Sequence, residues 1–377
     1  MFCRKIGLSL LATTINQPVF LEAHCCKAVG VANSGRHSAT WRLHATRICV
    51  AFFLMLLAMP SSALAASDKP YVMKIALATV NDALHEFAKD YAAIVERGSG
   101  GRIKTEIYPE SRLGSTQRQA EGVQFGAIQC LIVPPEFLAG IDERFELLAA
   151  PGLVTSMANG QRVAVDTAVR QLMLGLGADK GLHGVALFMA APSSIVTIKP
   201  IRHLGDFKGK KIRIFASQFQ AEAVRRLGAI PKPMTLGEVL PALQDNGLDG
   251  AVAATTVFVT MHYQHAAKYI TETGQPAIFG IAELSKKWYD SLPTDLQDIV
   301  DKAANSESVT INPWVIDFNA KARQAWIDGG GELIRLPADE QSAMLNALAS
   351  VGEDVSNLKL ELHAGYQIVT EAVQRNR

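Results

Sequence analysis

Lys208-Gly209-Lys210-Lys211-Ile212-Arg213-Ile214-Phe215-Ala216-Ser217 holds the key to the architecture. Ile212 and Ile214 alternate with Lys211, Arg213 and Phe215, the period of two that marks a strand. Helical patterns follow over residues 218–227 and 236–244, then a short apolar strand over 248–253. A strand set between helices is normally buried on both faces of a parallel sheet. The arginine is the anomaly, because a guanidinium does not shed its charge and needs an anion or water. Two readings are open. Arg213 forms a structural ion pair or ends the strand in solvent. Alternatively, it sits at the carboxyl end of the strand and grips a ligand carboxylate with its donor fork.

Towards the N-terminus the alternation repeats. Residues 71–78 read as a strand, and Asp82 as the N-cap of a helix that Gly98-Ser99-Gly100-Gly101 ends. Residues 103–107 form a second strand, Gly114-Ser115-Thr116 opens a helix to Phe125, and residues 128–133 form a third strand. This order, with short loops, argues for a parallel sheet covered by helices. A helix over 160–176 and two extended pieces, 185–189 and 194–199, lead into the opening stretch. Beyond it, residues 256–267 read as helical, 269–271 as extended and 276–284 as a strand. Residues 291–328 form a long helical region, kinked at Asn312-Pro313 because proline lacks the N–H and clashes with the preceding turn. Residues 332–336 are a strand, and Pro337 opens a last helix.

The fold class is therefore α/β with two lobes and a cleft. Each lobe is a mixed or parallel sheet flanked by helices, more than one strand crosses between them, and the long C-terminal helical region spans both. The expected boundaries are 70–190 with 276–318 for lobe I, 191–275 with 319–350 for lobe II, and 351–377 as a C-terminal helix.

The 377 residues suffice for two domains with full cores. A formal net charge of +1 gives no pointer to nucleic acid. Arg42 and Arg47 precede the apolar run 48–59, and Pro60-Ser61-Ser62-Ala63-Leu64-Ala65 follows, the pattern of a secretory signal cut near Ala65. Residues 1–41 sit upstream of a complete signal, so the true start is expected near Leu43 or at a non-Met codon further upstream. Mass spectrometry of the exported chain checks this: a mature N-terminus before Ser61 would contradict it. Export near Ala65 leaves Cys130 as the one cysteine, in an apolar run where a thiol is usually a small buried hydrophobe.

The chain shows no nucleophile elbow, no His-Glu-x-x-His, no paired Cys-x-x-Cys and no phosphate loop. Cys130 lacks the partner a nucleophile needs. His262 and His265 lie about one helical turn apart with no third ligand suggested, which fits a helix surface better than a metal site. Lys208, Lys210 and Lys211 read as solvated lysines, and Trp288, Trp314 and Trp326 as core. Export, two α/β lobes and no catalytic signature favour a binder over an enzyme. Thr79, His85, Phe215, Ser217 and Thr256 join Arg213 as site candidates, because strand ends and loops place them towards the cleft.

Several segments match one family. Gly101-Arg-Ile-Lys-Thr-Glu-Ile-Tyr-Pro109 with Arg112-Leu-Gly114 is similar to its early strand and loop. Glu121-Gly-Val-Gln-Phe-Gly-Ala-Ile128 is similar to a characteristic helix end, and Phe207-Lys-Gly-Lys-Lys-Ile-Arg-Ile214 to its arginine strand. Leu227-Gly-Ala-Ile-Pro-Lys-Pro-Met-Thr-Leu-Gly-Glu-Val-Leu-Pro-Ala-Leu243, then Leu248-Asp249-Gly250, is similar to the run that follows. Over about residues 73–336 the chain thus resembles the dicarboxylate-binding solute receptors of tripartite ATP-independent periplasmic (TRAP) transporters.

The resemblance implies a type II-like periplasmic-binding-protein fold that closes around a small organic acid. It implies a periplasmic receptor serving a large and a small membrane subunit driven by an ion gradient; apart from the resemblance, a monomer is expected, and no residue pattern points to a cofactor or a metal. Arg213 takes the position that holds the ligand carboxylate in the family. Departures narrow the ligand. Phe215 stands where proline is usual, about Ala253 where an asparagine often faces the ligand, and Ser193 and Ser194 where sialic-acid-type members carry a second basic residue. Ser193 thereby joins the candidates. A site with one fixed charge and few polar partners suits a monocarboxylate, or an acid with an apolar or aromatic body, better than a polyhydroxylated sugar acid. The other classes left open are a receptor for an ATP-driven importer or a signalling system, and a periplasmic enzyme.

Overall fold

In the computed structural model, residues 69–377 are described, apart from Thr155 and Pro276. The extension and signal segment expected over residues 1–65 lie outside the described residues. Ten strands are β1 (Tyr71–Ala76), β2 (Ile103–Tyr108), β3 (Cys130–Val133), β4 (Leu182–Thr197), β5 (Lys211–Ile214), β6 (Ile230–Pro233), β7 (Gly250–Ala254), β8 (Tyr269–Thr271), β9 (Ala277–Ser285) and β10 (Glu332–Ile334) among the described residues. They pair in the order β2-β1-β3-β9-β4-β7-β5-β6, with β8 bonded to β4 and to β10.

β1 runs parallel to β2 and β3, and β5 runs parallel to β6 and β7. These are the two β/α sets the sequence pattern demands, and their central strands are buried: Cys130-Leu-Ile-Val133 and Gly250–Ala254 throughout. β4 and β9 join the sets. They run antiparallel from Leu182 opposite Ser285 to Pro192 opposite Ala277, and β4 then continues against β7 and β8.

The helices start where short polar side chains satisfy the free N–H groups of a first turn. Asp82 accepts from the His85 N–H at 3.1 Å ahead of helix Ala83–Gly98, and Ser115 accepts from the Arg118 N–H ahead of helix Thr116–Phe125. The apolar face of Ala83–Gly98 enters the core, where Phe87 stacks on Phe188 of β4 with ring centroids 4.4 Å apart. That stack explains Gly280 on β9, since a Cβ there would stand 2.4 Å from the Phe188 ring. Cys130 and Trp326 are fully buried, as their apolar neighbours require.

The structure adds β6, which the sequence pattern does not mark, and differs from that pattern at four further places. The extended pieces 185–189 and 194–199 are one strand, β4. Pro192 reads as a break but follows a bulge between Met189 and Ala191, where a ladder accommodates a residue without an N–H. The helix over 160–176 is two, Met157–Val165 and Thr167–Gly175. Asp166 is extended between them and its side chain accepts from the Ala168 N–H at 3.0 Å, ending one helix and capping the next. Residues 256–267 are helical only over Thr255–Thr260; His262 then turns left-handed at φ 57°. Residues 351–377 hold two helices, Val351–Ser356 and Leu360–Arg375. The kink at Asn312-Pro313 separates Thr294–Thr310 from Asn312–Asp328, with Pro313 in the first turn where its missing N–H costs nothing. No described helix is long and apolar enough to cross a membrane.

Candidate functional site

The carboxyl ends of β1, β3, β5 and β7 converge, as do the first turns of the helices Ala83–Gly98, Thr116–Phe125, Leu236–Gln244 and Thr255–Thr260. In open α/β sheets this is where a crevice forms, and helix N-termini direct unpaired N–H groups into it. A cavity opens there with about 50 Å³ of water-accessible space. A single water needs roughly 10–15 Å³ on this measure. Most of its wall is apolar: Ala190 and Ala191 of β4, Leu236, Ala253, Ala254 and Ile278.

Arg213 enters this wall and is 1% exposed. Its Nε donates to the Met234 carbonyl at 2.9 Å and Nη1 to the Val252 carbonyl at 3.0 Å. Nη2 is buried with no hydrogen-bond partner. Among the described residues no carboxylate pairs with the guanidinium; Glu238 acts on it only at a distance, and its own carboxylate is held by Thr235. Burial lowers the Arg213 pKa to about 10, so the group stays charged at neutral pH. Its Cζ lies 4.7 Å from the Phe215 ring centroid and 5.9 Å from that of Phe137, so two aromatic rings flank the cation. Neither the structural ion pair nor the solvated strand end fits this arrangement.

Of the residues singled out from sequence, Thr79, Arg213, Phe215 and Thr256 line the one cavity. The Thr79 hydroxyl donates to Asp82 at 2.9 Å. Asp82, a helix cap in the sequence reading, also lines the cavity; burial raises its pKa to about 6 against the hydrogen bonds from His85 and Thr79. Three candidates stand outside the wall. His85 folds back so that Nδ1 accepts from the Asn81 N–H at 2.9 Å, and burial lowers its pKa. Ser217 caps helix Gln218–Arg226 by accepting from the Gln220 N–H at 3.3 Å, and its neighbour Gln218 donates its N–H to Glu146 at 2.5 Å. Ser193 is buried on β4 opposite Ala254, with its hydroxyl unpartnered.

Phe137, Thr116 and Leu236 also line the cavity and were not singled out from sequence. Thr116 and Leu236 stand in the first turns of helices that start at the carboxyl ends of the sheet, a signal that could have found them. Phe137 stands on the 3-10 turn Pro135–Leu138, where no periodicity marks a buried face. The His262 and His265 rings lie 5.8 Å apart beside a 3-10 turn, away from this cavity.

Comparison with known proteins agrees with the architecture. Residues 76–357 match the family described as bacterial extracellular solute-binding protein, family 7 (DctP). The C4-dicarboxylate-binding periplasmic protein DctP of Rhodobacter capsulatus is 26% identical over 271 residues, 71% of this chain and 81% of the relative. Two solved structures share the fold. A TRAP periplasmic solute-binding protein from Desulfovibrio salexigens with bound orotic acid has a TM-score of 0.75 and 22% identity, covering 81% of this chain and all of the other. The sugar acid binding protein of Advenella mimigardefordensis in complex with galactonate has a TM-score of 0.77 and 19% identity, covering 82% of this chain and 99% of the other. The match over residues 76–357 runs from the end of β1 through both β/α sets and the strands that join them, and the chain belongs to family 7 of the bacterial extracellular solute-binding proteins, the DctP family.

Proposed function

We propose that this chain is the periplasmic receptor of a TRAP transporter and captures a small organic acid by its carboxylate on Arg213. The unpartnered Nη2 of a fully buried guanidinium in a cavity wall carries this reading. A buried cation without an acidic partner is costly unless something negative completes it. A carboxylate does so with charge-assisted hydrogen bonds of about 1.5–3 kcal/mol each. The ligands named for the relatives, a C4-dicarboxylate, orotic acid and galactonate, are all carboxylic acids.

The apolar wall supports an acid with an apolar or aromatic body. Beside Arg213 the polar lining is Asp82 and the hydroxyls of Thr79, Thr116 and Thr256, while alanine at 253 and 254, Leu236 and Ile278 give a polyhydroxylated chain nothing to bond. The lobes are residues 70–190 with 276–318, and 191–275 with 319–350; they close on the acid about the joining strands. The closed monomer then docks on the large and small membrane subunits, with no catalytic step. A thermal-shift screen of the mature protein against organic acids tests the reading. Aliphatic and aromatic monocarboxylates are expected to raise the melting temperature. Sugar acids binding far more tightly would overturn the apolar-body assignment, and no acid binding at all would overturn the receptor reading.

A further inference from the structure

We propose that Phe137 sets the length of the acid that this chain accepts, by walling the inner cavity off from a larger basin at the mouth of the cleft. The inference rests on the reading of Arg213 as the carboxylate anchor. The outer basin has about 510 Å³ of water-accessible space against about 50 Å³ within. Phe137 and Thr116 line both spaces, and Phe137 is the larger divider. Its ring stacks on Phe215 with centroids 5.1 Å apart, and Phe215 in turn flanks Arg213. The Phe137 centroid is 5.9 Å from Arg213 Cζ, so a carbon skeleton that leaves the anchored carboxylate on the basin side meets the Phe137 ring within a few bonds. Truncating that ring joins the chamber to the basin.

The two spaces differ in character. The basin sets polar side chains, Gln117, Gln124, Thr235, Glu121 and Glu238, among apolar ones such as Ile141, Pro233 and Met234, whereas the chamber is almost wholly apolar. Hydrogen bonds from Thr235 hold the Glu238 carboxyl below its ordinary range, so it is charged at neutral pH. A ligand that reaches past position 137 brings its far end towards carboxylates. An uncharged end tolerates this, whereas a second carboxylate is repelled. The divider and the acidic basin together favour a short monocarboxylate over longer acids and over dicarboxylates that outgrow the chamber.

Calorimetry with straight-chain monocarboxylates from acetate to decanoate, on wild type, Phe137→Ala, Phe137→Leu and Arg213→Ala, tests this. In the wild type, affinity rises to a maximum at a short chain and then falls at least about tenfold, the scale of a misfit of one or two methylenes. Phe137→Ala moves the maximum to longer chains and Phe137→Leu moves it part of the way. The α,ω-dicarboxylates of the newly accepted lengths gain at least about tenfold less than the monocarboxylates. An unchanged maximum in both Phe137 variants, or a wild type indifferent to length, overturns the proposal while loss of binding in Arg213→Ala leaves the anchor standing. Binding retained in Arg213→Ala overturns the anchor instead, and a wild type that binds none of the series overturns both.

Discussion

Arg213→Ala abolishes acid binding while the protein still folds. A carboxylate on this guanidinium receives two charge-assisted hydrogen bonds, about 3–6 kcal/mol together, so removing the fork weakens affinity by roughly two to four orders of magnitude. The fold survives because the terms opposing each other are similar. Truncation frees the Met234 and Val252 carbonyls of their donor and removes the cation from beside the stacked Phe137 and Phe215 rings. It also removes a buried charge that no acid among the described residues compensates. The net change is within about 2 kcal/mol. Arg213→Lys separates charge from geometry: it keeps a cation but has no planar fork to hold both carbonyls and a carboxylate at once, and it binds nearly as poorly as alanine. Calorimetry with the acids that stabilise the wild type, beside circular dichroism of each variant, gives the answer. Full affinity in Arg213→Ala would exclude the anchor role.

The second large effect lies away from the cavity. Glu283 stands near the carboxyl end of β9, opposite Leu131 of β3 and Gly184 of β4, fully buried. Neither carboxyl oxygen has a partner, and burial holds its pKa well above the ordinary 4.5. The native protein therefore keeps the proton that the unfolded chain releases above about pH 4.5. Between that pH and the raised native pKa the unfolded state binds fewer protons, so stability falls as pH rises, by up to about 1.4 kcal/mol per pH unit. Glu283→Gln, which resembles the protonated acid in shape and cannot ionise, removes this slope. Its melting temperature is expected to exceed that of the wild type clearly at pH 8 and little at pH 5. Asp82, Glu136 and Glu146 are buried acids with pKa values raised to about 6, 8 and 6, so they slope the same way in both proteins and cancel in the difference. An equal gain at both pH values would show that Glu283 does not titrate in this way.

The parts of the fold that could be read from the chain are those where one local period carries the message. The strands Lys211–Ile214 and Ile103–Tyr108 alternate cleanly, and Asp82 and Ser115 mark helix starts that the structure keeps. Arg213 was legible for a different reason: its charge contradicts the burial its strand implies. What stayed hidden depends on distance in space. A serine at a helix start looks the same whether it meets a ligand or, as Ser217 does, its own helix. Phe137 follows Pro134-Pro135 on a short turn, and only tertiary packing sets it against Phe215. β4 was hidden by Pro192, whose local meaning is a break and whose actual place beside a bulge depends on the partner strand β9.

β4 has a mechanical consequence. A strand of 16 residues bonded to β9 along its first part and to β7 and β8 along its second cannot slide past its neighbours without breaking a ladder. It can bend where the ladder is irregular, at Gly184/Ala186 and at Met189/Ala191, and the second of these steps lies where β4 passes from β9 towards β7 and β8. Ala190 and Ala191 form the cavity wall at that step. A molecule bound there rests beside the fulcrum. A rotation that shifts it by a fraction of its own width carries the distant edges of the two sheet halves through a much longer arc, in proportion to their distance from the axis. On the proposed closure about the joining strands, occupancy by a very small ligand would become a displacement large enough for another protein to sense from outside.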